Sequence, residues 1–351
     1  MTSLESARQN PQIARFCRQY LQLDSSLDYP QDELLREEAT QEVLYERLFA
    51  DDAIALPKPP RYKLRVLKEL VARTEAAIVD WEEHEITDNL METLSHLLSM
   101  PLPSEATAAQ QRIYVTYSLS RLCEQSQTQP EPSITLLEAP SLISASGTTG
   151  FRTWEAALHL GQYLCAKPAL IENKRILELG TGTGYLTVLC AKHLGARHVV
   201  ASDGSDEVIH NLSDSLFLNG LQGSDKVTPT ELKWGHALIG SEEDAWNGGR
   251  TVDVVLGADI TYDARLVPAL VATLQELVGL FPEAVVLIAA TERNKANFEY
   301  LLQVCESCGF SVSHGAFPVP ARSAQNGPFY DDKQPIHICQ LRHVDSVGNK
   351  N

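Results

Sequence analysis

The sequence predicts an α/β protein in which an all-α N-terminal domain precedes a seven-stranded, doubly wound sheet whose last strand pair is antiparallel. Three observations carry this. From Arg175 onward, short apolar runs alternate with helical patterns, the signature of a parallel sheet covered by helices. The first of those runs, Arg175-Ile176-Leu177-Glu178-Leu179, breaks into Gly180, Gly182 and Gly184 before a helical pattern begins, which reads as strand, tight turn and helix start. Before about residue 130, apolar residues recur only at helical spacing.

In chain order, Phe16, Tyr20, Leu21 and Leu23 begin one helical stripe, and Leu34, Leu35, Val43, Leu44, Leu48 and Phe49 continue another. Pro59-Pro60 opens a third helix, proline suiting a first turn. Leu64, Leu67, Leu70 and Val71 form its apolar face, and Lys63, Arg65, Lys68 and Arg73 fill the remaining positions. That basic face is either a docking surface for an acidic partner or a solvated side. Helical stretches follow from Glu85 to Leu98 and from Ala106 to Cys123, and the polar stretch Gln125 to Pro132 marks a linker. The expected domains are therefore 1–130, helical, and 131–346, with 347–351 as a tail.

Ile134 to Leu137 and Leu142 to Ser144, flanking Ala139-Pro140, suggest a short hairpin. The loop Gly147-Thr148-Thr149-Gly150 then leads to Thr153, expected as the N-cap of a helix bearing Ala156, Ala157, Leu158 and Leu160. After the glycine turn, strands are expected at His198 to Ser202, Val227 to Trp234, Val252 to Asp259, Ala284 to Ala290, Phe310 to Phe317 and Ile336 to Leu341. Helices Tyr185 to Leu194, Asp206 to Asn219, Ala264 to Leu280 and Asn294 to Cys308 intervene, with a loop at Ser241 to Gly249. Only Pro318 to Pro335 separates the last two strands, so these pair antiparallel.

A chain of 351 residues with 44% apolar content has ample material for two cores. The net charge of −17 is spread evenly, with 13 basic against 21 acidic residues up to 130 and 16 against 25 beyond. Phosphate binders concentrate Lys and Arg, so this balance weighs against direct nucleic-acid binding and favours a basic protein partner. Apolar runs such as Ala284 to Ala290 are far shorter than the ~20 residues that span a bilayer. Seven scattered cysteines and an N-terminus without a signal-type apolar core point to a reducing, cytoplasmic setting. Cys305 and Cys308 lack the further ligands a structural zinc site needs, and neither H-E-x-x-H nor G-x-S-x-G occurs, so no metal is expected.

The glycine turn narrows the chemistry. A dinucleotide fingerprint would carry its third glycine at position 185, where this chain has Tyr185. An acid followed by G-x-G-x-G is instead the pattern of S-adenosylmethionine-dependent methyltransferases. Asp203, nineteen residues beyond Gly184 at the end of the next apolar run, is placed to accept both ribose hydroxyls.

The loop running into Trp154, the turn Glu178 to Gly184, Leu218-Asn219-Gly220, Leu232-Lys233-Trp234 and Ala258-Asp259-Ile260-Thr261-Tyr262 together resemble the family 16 seven-strand protein lysine methyltransferases. Gly147 to Ala157 and the stretch from Pro59-Pro60 to Ala76 are most similar to the elongation factor 2 lysine methyltransferases, over roughly residues 58–342. The resemblance implies S-adenosyl-L-methionine as cofactor and elongation factor 2 as protein substrate. It implies that Gly180, Thr181 and Gly182, in the turn closed by Gly184, wrap the methionine part. Glu178 would fix that turn, Asp203 hold the ribose, Trp154 line the pocket, Trp234 contact the adenine and Ala258 lend backbone beside it. Asp259 and Tyr262, a D-x-x-Y after strand four, would form the lysine mouth. The alternatives to these roles are that the tryptophans belong to the core and that Asp259 caps the following helix. Methylation of another protein, an RNA or a small molecule, or a non-catalytic scaffold, are the alternatives to set against this reading.

Methyl transfer from a sulfonium is governed by positioning. The lysine must first lose its proton, at a cost of about 4.6 kcal/mol at pH 7 from a reference pKa of ~10.4, which desolvation lowers. Asp259 is expected to orient the amine, and Tyr262 to face it with a cation–π contribution.

Overall fold

The computed structural model describes residues 2–126, 131–139, 149–238 and 247–343. Leu142 to Ser144, Gly147-Thr148, most of the Ser241 to Gly249 loop and the 347–351 tail lie outside the described residues. The chain divides into two compact units, Met1–Ser120 with Asn326–Phe329, and Arg121–Gln325 with Tyr330–Asn351.

The first unit contains α1 (Ser3–Gln9), α2 (Pro11–Leu21), α3 (Asp32–Leu35), α4 (Glu38–Leu48), α5 (Pro60–Ala77), α6 (Asp88–Ser99), α7 (Glu105–Gln110) and a strand, β1 (Ile113–Ser118). Thr2 and Glu5 form a capping box on α1, and Asn10 with Pro11 starts α2. Ile13, Phe16 and Tyr20 of α2 meet Val43, Leu44 and Leu48 of α4 and Val66, Leu67 and Leu70 of α5 in one buried cluster. Each such side chain contributes roughly 1.5–3 kcal/mol by leaving water. The basic residues of α5 are largely bound within their own unit: Arg61 donates to the Pro103 carbonyl at 2.9 Å, Lys63 to that of Phe49 at 3.2 Å, and Arg73 to Glu69 at 2.8 Å.

Two features of this unit depart from expectation. The segment Ala106 to Cys123 is not one helix, because Ile113–Ser118 is a strand rich in β-branched and aromatic residues. Residues Asn326–Phe329, from the long segment before the last strand, also belong here. Arg18 holds the Asn326 side chain at 2.7 Å, Ser120 Oγ donates to the Gly327 carbonyl at 2.6 Å, and Phe329 N–H donates to Gln22 Oε1 at 2.8 Å.

The second unit continues with α8 (Ser120–Ser126), β2 (Ser133–Glu138), α9 (Glu155–Ala166), β3 (Arg175–Leu179), α10 (Tyr185–Val188), β4 (His198–Asp203), α11 (Asp206–Leu218), β5 (Val227–Glu231), β6 (Val254–Ala258), α12 (Val267–Leu280), β7 (Val285–Thr291), α13 (Lys295–Ser307), β8 (Phe310–His314) and β9 (Ile336–His343). Its seven-stranded sheet has the order β5-β4-β3-β6-β7-β9-β8. All neighbours are parallel from β5 to β7, whereas β9 runs antiparallel to both β7 and β8, and the antiparallel β8–β9 pair is the one expected where no helix separates the last two strands. Leu177, Leu179, Val255 and Ile288 are buried, in keeping with strands covered on both faces. Asn219, just past α11, uses its side-chain amide to bond both the N–H and the carbonyl of Thr135 on β2. The expected helix 185–194 is α-helical only to Val188 and continues as a π-turn over Leu189–His193. Thr153 is not an N-cap; Trp154 takes that position, and the Thr153 hydroxyl serves elsewhere.

Lys58 in the first unit is 7% exposed and donates to the carbonyls of Leu21 and Tyr114 at 2.8 and 2.9 Å. Burial pushes its pKa down to about 8. Between pH 8 and the ordinary lysine value of ~10.4 the unfolded chain binds more protons than the folded one, so the cost of burying this charge, full below pH 8, is relieved as pH rises. Urea unfolding should therefore show the native protein gaining about 1–2 kcal/mol relative to Lys58→Met between pH 8 and 10. Parallel stability curves for the two proteins would refute the buried charge.

Candidate active site

The strand order reverses at β3, whose neighbours β4 and β6 lie on opposite sides, and a crevice opens at the carboxyl ends of these strands. A cavity of about 360 Å³ occupies it. Gly180 and Gly182 form its floor with φ of +67° and +52°, a conformation side chains resist. A Cβ on Gly180 would come within 2.6 Å of Ile260, and one on Gly182 within 3.4 Å of the Gly150 carbonyl, so these glycines leave room that side chains would fill.

Buried acids tie this floor down. Glu178 on β3 accepts hydrogen bonds from the hydroxyls of Thr181, at 3.0 Å, and Thr187. Burial raises its pKa to about 7, although those hydroxyls pull it down. Asp203, ending β4, accepts the Gly182 N–H at 3.2 Å and the Ser205 N–H at 3.1 Å. Burial also raises its pKa, and the backbone donors oppose the shift. Further along the wall, Thr153 donates to the buried Glu138 at 2.7 Å and stands 2.7 Å from the Thr183 hydroxyl. This links β2, the loop before α9 and the glycine turn.

The opposite wall carries the aromatic and charged groups. Trp154 donates from Nε1 to the Thr149 carbonyl at 3.0 Å, and the guanidinium groups of Arg152 and Arg293 each lie 5.0 Å from its ring centroid. Trp234, half-buried, lines the cavity while packing partly against the core. Asp259, just beyond β6, is 7% exposed and has φ +55°, a left-handed conformation rare outside glycine. Its Oδ1 accepts the Thr291 N–H at 2.9 Å; Oδ2 accepts the Thr291 hydroxyl at 3.0 Å, the Ala156 N–H at 3.3 Å and Arg293 at 3.1 Å. Asp259 thus caps the first turn of α9 and not the helix that follows it. Tyr262, 49% exposed, stands at the cavity's edge.

The cavity brings together Trp154, Glu178, Gly180, Thr181, Gly182, Asp203, Trp234, Ala258, Asp259 and Tyr262. Gly184 is not in its wall; with φ +87° it starts α10 and packs close to Leu212. Sequence reasoning missed Arg293 and Thr291, which bond Asp259, Glu155, which shares Arg293 with it, and the Glu138–Thr153 pair. The donor set suits a nucleoside bearing a charged tail. The cavity wall offers the Asp203 carboxylate, the Trp234 indole and a glycine floor that leaves backbone open.

The lysine methyltransferase family matches residues 143–307. Over 336 residues the chain is 63% identical to the protein-lysine N-methyltransferase EFM3 of Chaetomium thermophilum, covering 96% of this chain and 99% of that protein. It is 32% identical over 196 residues to EFM3 of Saccharomyces cerevisiae, covering 51% and 55%. With the human protein-lysine N-methyltransferase EEF2KMT it shares 29% identity over 315 residues, covering 84% and 87%.

Two glycines of the turn should respond differently to substitution. Gly182→Arg fills the cavity floor and should abolish S-adenosylmethionine binding in calorimetry with the fold intact. Gly184→Ala places a methyl 2.4 Å from Leu212 Cδ1 in a strained backbone, so it should cost about 1–3 kcal/mol of stability. Its cofactor affinity should stay within about threefold of the parent below the melting transition; a larger loss would put Gly184 in the binding wall.

Proposed function

Because the chain belongs to the lysine methyltransferase family, we propose that it methylates a lysine of translation elongation factor 2, presented at a mouth formed by Asp259 and Tyr262. The enzyme is an S-adenosyl-L-methionine-dependent protein-lysine N-methyltransferase. Its substrate is therefore a protein. Support for elongation factor 2 comes from the resemblance at Gly147 to Ala157 and Pro59 to Ala76, and from the likeness to EEF2KMT. The observation that carries the reading of the mouth is Asp259 itself, a buried acid in a strained backbone at the edge of the cofactor cavity. The cavity-lining residues among the described ones all belong to the second unit, and we assign the N-terminal unit to recognition of the protein substrate. We place the enzyme in the cytoplasm on its seven cysteines, none of which forms a disulfide among the described residues. No helix of the described residues is long and apolar enough to cross a membrane.

When bound, S-adenosyl-L-methionine would supply a methyl group activated by its sulfonium, so the residues around it need only hold and orient the reacting groups. Gly180, Thr181 and Gly182 would hold the methionine part, Asp203 the ribose, and Trp154 and Trp234 the flanking surfaces. The chain's own work at the mouth is orientation. Asp259 Oδ1 accepts one hydrogen bond among the described residues, leaving a lone pair for the amine, and its neighbours fix the carboxylate plane. The exposed Tyr262 ring offers a face to the methylated nitrogen.

Asp259→Asn keeps the size of the side chain and removes its charge. Loss of a charge-assisted hydrogen bond is worth roughly 1.5–3 kcal/mol, so labelled methyl transfer to elongation factor 2 should slow by about tenfold to a hundredfold. Cofactor affinity should change little. An unchanged rate would remove Asp259 from the mouth, and label appearing on other proteins but never on elongation factor 2 would refute the substrate.

A further inference from the structure

A buried acid facing a lysine poses a difficulty. A lone carboxylate stabilises the ammonium form, yet the nitrogen can accept a methyl group only after its proton has left for solvent water. The structure contains an answer in the segment after β7. Arg293 donates to Asp259 Oδ2 at 3.1 Å and to Glu155 at 2.5 Å, and Arg152 donates to the same Glu155 at 3.2 Å. Two acids and two arginines thus form one network with no net charge. The neighbouring Asp263 and Arg265 also cancel one another, paired at 2.7 Å, and Tyr262 is the remaining titratable group on that loop. On the cavity wall beyond, Lys233 is paired with Glu231 at 2.6 Å, while Glu178 and Asp203 sit under the glycine floor.

We propose that Arg293 is a positioning residue whose charge cancels that of Asp259, so that the mouth orients the substrate amine without holding its proton. This rests on the reading of Asp259 and Tyr262 as the lysine mouth. The charge is what the proposal requires, and the guanidinium fork adds reach. One group reaches Asp259 and Glu155 together while lying over Trp154, so the acid, the first turn of α9 and the cavity's indole are set by a single side chain. Arginine also stays protonated through the pH range in which lysine titrates. Its pairing with Asp259 and Glu155 raises its pKa further, against the opposing effect of burial.

The test is the pH dependence of methyl transfer to elongation factor 2 between pH 6 and 10, comparing the native enzyme with Arg293→Gln, Arg293→Lys and the double variant Asp259→Asn/Arg293→Gln. With Arg293→Gln the acid limb of kcat should move up by about one pH unit, the scale expected for one neighbouring charge at a partly exposed site. The rate at pH 7 then falls about tenfold, the deficit closes near pH 10, and KM for the protein substrate does not rise. Arg293→Lys should keep the native limb. The double variant, though slower, should also return the limb to near its native position, because both charges are gone. A uniform loss at every pH, or a limb still shifted in the double variant, overturns the proposal in favour of a structural role. If the native enzyme labels no lysine at all, the mouth reading fails first and this inference with it; an active native enzyme with an unmoved limb in Arg293→Gln sinks this inference alone.

Discussion

The reversal of strand order at β3 is the constraint on which the site depends. Because β4 lies on one side of β3 and β6 on the other, the connections leaving β3 and its neighbour diverge and a crevice opens at the carboxyl ends of these strands. The sharp turn after β3 demands positive φ, which accounts for Gly180 and Gly182. The carboxyl end of β4 then brings Asp203 beneath the Gly182 N–H, and that of β6 delivers Asp259 to the far side of the same opening. Cavity-lining groups from distant parts of the chain meet because parallel pairing aligns the ends of their strands.

Such a crevice would be soft if its walls were only backbone, and buried carboxylates with hydroxyl partners stiffen it. Glu178 joins β3 to the turn and to α10 through Thr181 and Thr187, while Glu138 joins β2 to the Trp154 loop through Thr153. Burying these acids is unfavourable by itself, and the raised pKa of Glu178 records that cost. What the chain obtains is order: in a low-dielectric interior a satisfied polar network holds one geometry, whereas an apolar replacement tolerates several. Placing these networks around the cavity keeps the glycine turn rigid without side chains that would occupy it.

How much of this was legible in the sequence depends on range. The alternation of strands and helices, the glycine turn, Asp203, and the antiparallel final pair are local patterns, and the structure has them. Ten of the eleven residues expected at the site line one cavity; Gly184 does not, because its role is fixed by α10 and Leu212 rather than by the crevice. The strand Ile113–Ser118 carried a signal in its alternating β-branched and aromatic residues, but the helical composition on either side masked it. Arg293 had none. It meets Asp259 only because the β6–β7 register sets Ala258 against Ala289, which brings the residues just past both strand ends together. The docking of Asn326–Phe329 in the N-terminal unit is likewise a matter of partners some three hundred residues away, which no window of sequence contains.

On the proposed reading of the mouth, charge at two length scales bears on the same amine. The whole chain carries −17, spread over both halves, and a field of that sign draws a basic substrate in as an ammonium ion. The same field opposes the loss of the proton that methyl transfer requires, because it favours the charged form of the lysine. Salt limits this opposition, since exposed charges beyond about 8 Å are largely screened under physiological conditions, while those lining a partly buried mouth are not. Balance therefore matters only within the mouth, and there Arg293 and Arg152 match Asp259 and Glu155. An acidic surface with a locally neutral mouth can attract lysine in the charged form and orient it in the neutral one, two tasks that a single exposed carboxylate would set against each other.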